Sequence, residues 1–399
     1  MPRLFCFDWD FMKLNGHEIT VLGGGIGGVS AAIALARHGA RVTVIEQAPD
    51  LTEVGAGLQI SANGLRILEM LDVFANRDMN AFRSAGTELR DYRSGKLIFS
   101  LPEPRAGPTW YFHRADLLSA LVETAVSAGV RFKLGIKAAS LAFDDDRATV
   151  RFSDGKELTA QCLVVADGVR GAGRPAISNS GPARFSGQVA WRAVLPWDAD
   201  QTTPPCAQVT MAPGRHTVTY PLRGGKLMNL VAVEERTGWS KESWRDQGDP
   251  GALRRRFNDF GGDVQDILKR VDTVHVWGLH LHPVAENWHR GSAVLLGDAA
   301  HPTLPFMAQG ACLAIEDAWV LADCLANAQD MAHAFAAYEA KRKPRAQRVV
   351  ATATANAWRF HAKSPFREIG QLGLRLAGRW LAPDFEWIYG HDATGQSPT

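Results

Sequence analysis

Cysteine is scarce and unpatterned. The five residues Cys6, Cys162, Cys206, Cys312 and Cys324 are odd in number and scattered along the chain. No C-x-x-C spacing occurs, which removes zinc ribbons and thioredoxin-type dithiols and points to a reduced, cytoplasmic protein with no metal site. Long hydrophobic runs are missing too: no stretch approaches the roughly 18 apolar residues of a membrane span. The opening MPRLFCFDWDFMKLNG carries Asp8 and Asp10 inside its apolar stretch, so it makes a poor signal peptide. These 16 residues precede the first clear strand and read as a tail or an overextended start, with Met12 as an alternative initiator. An excess of either charge is absent. Forty-four Lys+Arg against 42 Asp+Glu leave a formal charge of +2, which gives no footprint for nucleic acid or an anionic membrane. Internal repeats and low-complexity tracts are lacking as well.

What is present is a globular composition, 46% hydrophobic and 22% charged. At roughly 150 residues per domain, 399 residues suggest two or three domains. Glu18 to Leu22 reads as a buried strand, Gly23 to Gly28 as a glycine turn, Val29 to Arg37 as an Ala-rich helix and Val42 to Glu46 as a second strand. This is a parallel β-α-β unit. Helical periodicity recurs over Ala62 to Leu71 and Ala115 to Ala128. Between them, Thr87 to Asp91 and Leu97 to Leu101 flank an Arg93-Ser94-Gly95-Lys96 turn and predict a hairpin. Cys162 to Ala166 is a fully apolar strand ending in Asp167-Gly168. From about Gly181 to Leu281 the segments become β-like and are separated by Pro/Gly turns. Ala293 to Leu296 then returns to the buried-strand style, before helices near Gly310 to Ala326 and Met331 to Thr354.

The expected fold is therefore α/β: a Rossmann-like dinucleotide-binding domain interrupted by an antiparallel β-sheet domain, with C-terminal helices. The expected boundaries are 17–180 and 285–355 for the two parts of the first domain, 181–284 for the sheet domain and 356–399 for a helical segment.

Gly23-x-Gly25-x-x-Gly28 carries the first chemical signal. Gly23 permits the tight turn, Gly25 lets backbone approach a pyrophosphate, and Gly28 lets helix and strand pack closely. The helix N-terminus offers free N–H groups to a diphosphate, and Glu46 at the end of the second strand can accept from an adenosine ribose. The motif does not choose between FAD and NAD(P). Gly297-Asp298-Ala299-Ala300-His301-Pro302 follows a later buried strand. An Asp exposed there can hold flavin ribityl hydroxyls; taken alone, a β-turn Asp capping a helix is the simpler reading. The loop Pro302 to Gly310 leads into a helix whose N-terminal dipole favours a reduced flavin.

These motifs make the sequence resemble a known family. The resemblance rests on VLGGGIGGVSAAIALARHGARVTVIEQ, EVGAGLQISANGLRIL, HRADLL at His113 to Leu118, and VVADGVR at Val164 to Arg170. It continues through TYPLRGGKLMNLVAV, LLGDAAHPTLPFMAQGACLAIEDAWVLA, YEAKRKPRAQRVV and FEWIYGHD, from Glu18 to Asp392. It is similar to the FAD-dependent aromatic hydroxylases, the single-component (group A) flavoprotein monooxygenases of the para-hydroxybenzoate hydroxylase fold. Within them it is nearest the salicylate hydroxylase, 6-hydroxynicotinate 3-monooxygenase and 3-hydroxybenzoate 6-hydroxylase branch.

The resemblance implies FAD as cofactor and NADH or NADPH as co-substrate. It implies hydroxylation of a small electron-rich aromatic, a phenolic or hydroxypyridine carboxylate, through a flavin C4a-hydroperoxide in a site that excludes water. The implied cofactor residues are Gly23, Gly25, Gly28, Glu46 with Gln47, Arg114, Asp167, Gly168, Asp298, Pro305 and Gly310. Where the family continues Asp-Gly with Ser and an aliphatic residue, Gly171 and Gly173 stand here, which affects the handling of nicotinamide. Pro305 and Phe306 are implied to line the substrate pocket at the flavin ring.

Period-2 alternation puts His216, Val218 and Tyr220 on one strand face. Members of this branch carry a base and a tyrosine at matching positions, so His216 is the base candidate; an imidazole suits a phenol proton at neutral pH. Tyr220 either orients the substrate or packs in the sheet. Arg83, Arg192 and Arg215 are candidates for a substrate carboxylate, although for each, surface solvation is the simpler reading. Cys206 is a further pocket candidate. His280 and His282 read as structural or rim residues, and Cys312 and Cys324 as core. The partners implied are an aromatic substrate, O2 and NAD(P)H, with no nucleic acid or membrane, in a monomer or homodimer. Rival readings are a non-oxygenating FAD-dependent oxidoreductase of the same fold, a flavin halogenase, disfavoured because no W-x-W-x-I-P signature occurs, and a non-catalytic flavin-binding protein.

Overall fold

A computed structural model describes residues 14–51, 56–75, 77, 79–144, 146–198, 203–238, 246–381 and 384–395. Met12, Cys6 and the Glu53–Gly55 part of the EVGAGL motif lie outside these. Short runs of Val, Ile and Leu, apolar on both faces, form the central strands of a six-stranded sheet. Its order is His289–Arg290, Ala293–Leu295, Leu163–Val165, Glu18–Leu22, Arg41–Ile45 and Arg131–Lys133. All pairs are parallel except the first, a hairpin. The helices Ile26–Arg37 and Gly310–Asn327 pack together beside this sheet. A Cβ on Gly27 would lie 2.9 Å from Cβ of Ala314, so glycine sets how closely they approach. Gly28 is equally constrained, because a Cβ there would lie 2.0 Å from the carbonyl oxygen of Gly23.

The second large sheet has eight strands, in the order Gln247–Gly248, Val274–Leu281, Arg184–Pro196, Leu227–Glu235, Arg215–Leu222, Ala207–Ala212, Thr87–Asp91 and Leu97–Leu101. The hairpin at 87–101 therefore extends the sheet that was expected to come from 181–284 alone. The join is a parallel pairing, Thr87 opposite Ala207 and Asp91 opposite Met211, between segments more than 100 residues apart. One face of this sheet is closed by the helices Pro250–Arg256 and Asp263–Lys269. Phe257, Phe260, Leu253, Val264 and Ile267 pack there on Trp191, Leu230 and Ala232. Asp249 caps the first of these helices by accepting from the N–H groups of Gly251 and Ala252.

The helix predicted to end near Thr354 runs Met331–Phe360 and crosses the expected 355/356 boundary. It continues because Ala353 and Asn356 are still buried and Phe360 packs on the apolar face of the large sheet. A helix Phe366–Leu381 follows. No helix among the described residues is long and apolar enough to cross a membrane.

The long helix is tied to Gly310–Asn327 by buried charges. Arg342 bonds Asp317 and Glu316 at 2.7 Å each, and Arg345 bonds Glu316 at 2.7 Å. His301 contacts Asp317, and Asn63 donates to Glu316 at 2.6 Å. Burial pushes both carboxyls up, but Arg342 with Arg345 holds Glu316, and His301 with Arg342 holds Asp317, down at about 2. Carboxyls depressed in the folded state contribute stability above their unfolded values near ~4, and that contribution is lost as pH falls toward 2. Thermal melts should therefore hold a plateau above about pH 5 and fall steeply below about pH 4. Arg342→Met, which leaves buried carboxylates unpaired, should cost about 3–5 kcal/mol at neutral pH, read from denaturant titration.

Candidate active site

The parallel register decides where side chains collect. Leu22 is level with Ile45 and with Val165, and Val165 is level with Leu295. Gly23, Glu46, Ala166-Asp167 and Leu296-Gly297 therefore leave the sheet along one edge. A cavity of about 2470 Å³ begins at this edge and extends under the cavity-side face of the eight-stranded sheet. Sites for one small molecule typically occupy about 300–1,000 Å³. This one has room for a long cofactor and a substrate together.

At the sheet-edge end the lining includes Gly23, Gly25, Gly28, Glu46 and Gln47. Gly23 has φ +111°, and a Cβ there would lie 2.2 Å from the Ala166 carbonyl oxygen, so the turn requires glycine. A Cβ on Gly25 or Gly168 would meet nothing within 4 Å: both face open cavity. Glu46 accepts from the N–H of Gly24 at 2.7 Å and of Ala48 at 2.8 Å, which fixes its carboxylate at the strand end.

Asp167 and Gly168 line the middle. The Asp167 carboxylate folds back and accepts from Gly173 N–H at 2.9 Å. A Cβ on Gly171 would fall 1.9 Å from Asp167 Cγ, and one on Gly173 would fall 2.1 Å from Val165 Cγ1. The two glycines that depart from the family pattern are thus the residues this fold-back needs. Burial pushes Asp167 up to about 6 despite the backbone bonds, and its Oδ1 has no hydrogen-bond partner among the described residues.

Arg114, at the start of the helix Arg114–Ser127, and Asp298 both face the cavity. Burial, then Arg192, pushes Arg114 down to about 10, with Asp298 acting against them. Asp298 is open to the cavity, yet the surrounding protein's exclusion of water raises its carboxyl, while His301, Arg114 and His282 oppose the rise. Pro305 and Gly310 line the cavity at the N-terminus of Gly310–Asn327. Phe306, in the turn Pro305–Met307, is buried with its ring 5.5 Å from that of His216.

The far wall is one face of the eight-stranded sheet. His216 is opposite Val233, Val218 opposite Val231, and Tyr220 opposite Asn229. The next strand continues these rows with Ala190 beside Val233 and Arg192 beside Val231, and Trp277 follows Ala190. Around His216 the wall is formed by Val218, Val231, Val233 and Trp277, with Tyr220 and Arg192 as its polar members. The Arg192 guanidinium lies 5.2 Å from the Trp277 ring centre and is half-buried, and the loss of surrounding water lowers its basicity without discharging it. Tyr220 packs on Tyr111, ring centres 4.8 Å apart, and on Gly57, where a Cβ would lie 2.6 Å from the tyrosine hydroxyl.

Among the arginine candidates, only Arg192 reaches this wall. Arg215 pairs with Asp259 on the helix-covered side at 2.9 Å, and Arg83 pairs with Glu103 at 3.3 Å, more than half exposed. Cys206 is buried but does not line the cavity. Ala207 occupies the cavity face of the strand, and Cys206 sits beside Glu88 instead. His280 and His282 both line the cavity rim; His282 lies one residue beyond its strand. Sequence reasoning missed His361, whose Nε2 is 2.7 Å from His216 Nδ1. No periodicity marks it, because it follows the last residue of a helix and meets His216 across 145 residues.

Residues 17–353 match the FAD binding domain family. Over 391 residues the chain is 34% identical to a 3-amino-4-hydroxybenzoate 2-monooxygenase of Streptomyces platensis, covering 95% of this chain and 97% of that protein. Over 400 residues it is 31% identical to the 3-hydroxybenzoate 6-hydroxylase of Polaromonas naphthalenivorans, covering 95% and 98%. Among solved structures it resembles HpxO of Klebsiella pneumoniae complexed with FAD and uric acid, with a TM-score of 0.79, 26% identity and coverage of 92% and 95%. It shares the fold of a salicylate hydroxylase substrate complex, with a TM-score of 0.78, 23% identity and coverage of 96% and 97%. The chain belongs to the FAD binding domain family and, within it, to the FAD-dependent aromatic hydroxylases.

The cavity fits FAD. Its glycine turn opens to space at Gly25, a fixed acid stands at the strand end, and a second acid faces the lumen midway. Gly171→Val should expel the Asp167 carboxylate from its pocket. The expected result is a destabilisation of about 1–3 kcal/mol together with weaker flavin retention, read by melting and by flavin absorbance after gel filtration.

Proposed function

We propose that this protein hydroxylates the ring of a small phenolic carboxylic acid with NAD(P)H as electron donor, and that His216 is the base. The observation that carries the reading is the placement of His216, buried on an apolar cavity wall with Arg192 in the adjacent row on the same face. The names of the relatives support the substrate class, since aminohydroxybenzoate and hydroxybenzoate are each a phenol with a carboxylate.

In this reading Glu46, with Gln47 beside it, takes the adenosine ribose, and Gly23, Gly25 and Gly28 let the diphosphate approach the helix N-terminus. Arg114 and Asp298 hold the middle of the cofactor, Asp298 at the ribityl chain. Asp167 and Gly168 shape the cavity between them. Pro305 and Gly310 bound the flavin ring, and the Gly310–Asn327 helix dipole favours negative charge there. The chemistry supplied by bound FAD is two-electron uptake from NAD(P)H and activation of O2 for transfer to an electron-rich ring.

The chain's own residues prepare that ring. Arg192 receives the substrate carboxylate and fixes its orientation. Tyr220 positions the substrate, and Phe306 with the valines of the wall excludes water. His216 accepts the phenol proton, which makes the ring richer in electrons. The four described cysteines are unpaired and buried, in keeping with a reducing compartment such as the cytoplasm.

The test is NAD(P)H oxidation with a panel of phenolic and hydroxypyridine carboxylates, followed by product analysis. Hydroxylated product is expected. Reduction without oxygenated product would instead support a non-oxygenating oxidoreductase. His216→Ala should cut product formation ~100-fold or more with flavin content unchanged. Arg192→Gln should raise KM for carboxylate substrates at least about tenfold, through loss of a charge-assisted hydrogen bond, and affect a non-carboxylated phenol little.

A further inference from the structure

His216 does not face the protein alone. Its Nδ1 lies 2.7 Å from Nε2 of His361, the first residue beyond the helix Met331–Phe360. His361 is buried but does not line the cavity. Its other nitrogen, Nδ1, lies 3.4 Å from Oε1 of Glu235, whose side chain is 42% exposed. Lys363 pairs with the second oxygen of Glu235 at 3.1 Å and is itself 68% exposed. A cavity-facing imidazole is thus joined to solvent through a buried imidazole and a surface carboxylate.

We infer that His361 and Glu235 are positioning residues that set the tautomer of His216 and carry the substrate proton to solvent. This inference rests on His216 being the base. A carboxylate only accepts, so Glu235 fixes the proton of His361 on Nδ1. Nε2 of His361 must then accept, and the proton of His216 sits on Nδ1. That leaves Nε2 of His216 bare on the cavity side, the one form able to accept from a phenol.

The surroundings agree. Gln188 reaches His361 Nδ1 at 3.3 Å, and its Oε1 is buried with no hydrogen-bond partner among the described residues. Turning that amide places the orphaned oxygen where it accepts from Nδ1–H.

The proton then moves without redox change. The phenol O–H breaks as an N–H forms at His216 Nε2. The Nδ1 proton of His216 passes to His361 Nε2, and the Nδ1 proton of His361 passes to Glu235 and on to water. An exit is needed because His216 is a poor place to keep charge. Burial, then His361, holds it well below the usual imidazole range, and burial holds His361 down at about 4 despite Glu235. Among the described residues no other charge faces the pair. Phe306 and Phe360 flank His216 with apolar rings. Arg359 is turned to Asn356, and Arg215 to Asp259. Glu235 and Lys363 are the titratable groups that face His361.

Two measurements on the FAD-loaded protein test this. Nitrogen-15 spectra of labelled histidine should show His216 protonated at Nδ1 and bare at Nε2. With 3-hydroxybenzoate as probe, the ultraviolet difference spectrum gives the pH at which the bound phenol ionises. In both Glu235→Gln and His361→Phe that midpoint should rise by about one pH unit, a tenfold change in the ionisation constant, with probe affinity at low pH retained. Glu235 is partly exposed, so Glu235→Gln keeps the test usable if His361→Phe fails to fold. A His216 protonated at Nε2, or an unmoved midpoint in Glu235→Gln, overturns the relay. If His216→Ala abolishes hydroxylation while the midpoint stays fixed in these variants, the relay is wrong and the base assignment stands. If His216→Ala hydroxylates normally, both fail.

Discussion

The register of four parallel strands is the constraint from which the site follows. Leu22, Ile45, Val165 and Leu295 end level with one another. Parallel sheets present the carboxyl ends of their strands as a crevice, and ligands bind there. A one-residue slip of any strand would turn its side chains to the opposite face and move its terminal loop out of line. Glycine makes this edge habitable. Gly23 turns where no side chain fits, Gly28 packs on Gly23, and Gly25 is left open to the cavity. Gly171 and Gly173 serve the same edge by making room for the folded-back Asp167.

The second requirement is a wall that faces the cofactor while staying dry. The eight-stranded sheet supplies it by devoting one face to a helix-backed core and the other to the cavity. Rows of cross-strand neighbours place His216, Tyr220 and Arg192 among valines, Ala190 and Trp277. An imidazole that is buried in this way loses basicity, and the same burial would exclude the water that short-circuits oxygen transfer. The two demands conflict at His216. In the proposed relay, the contact to His361 and Glu235 reconciles them. The charged cluster around Arg342 does separate work, holding the long helix in place so that its end delivers Phe360 and His361 to the wall.

Local features were legible in the sequence. The β-α-β unit, the acid at Glu46, the hairpin at 87–101 and the alternation of His216, Val218 and Tyr220 each depend on neighbours within a few tens of residues. The misses share a physical cause, dependence on contacts far apart in the chain. The hairpin's place in the large sheet rests on a parallel pairing with Ala207–Ala212. Arg192 could not be separated from Arg83 and Arg215 until strand register showed which shares a face with His216. Cys206 belongs to the domain that forms the wall, but the wall position is Ala207's. His361 carries no local signal at all. Gly171 and Gly173 were visible as departures, but only the folded-back Asp167 explains them.

A shared fold alone does not establish a reaction. Here the family, the cavity and the wall agree on oxygen insertion into an aromatic ring. The most direct measurement is turnover of a phenolic acid by the FAD-loaded protein with NAD(P)H under oxygen-18 gas, followed by mass analysis of the aromatic product. A hydroxylase of this kind places one labelled oxygen atom in the ring product. Label recovered only in hydrogen peroxide or water, with an unaltered aromatic acid, would contradict it.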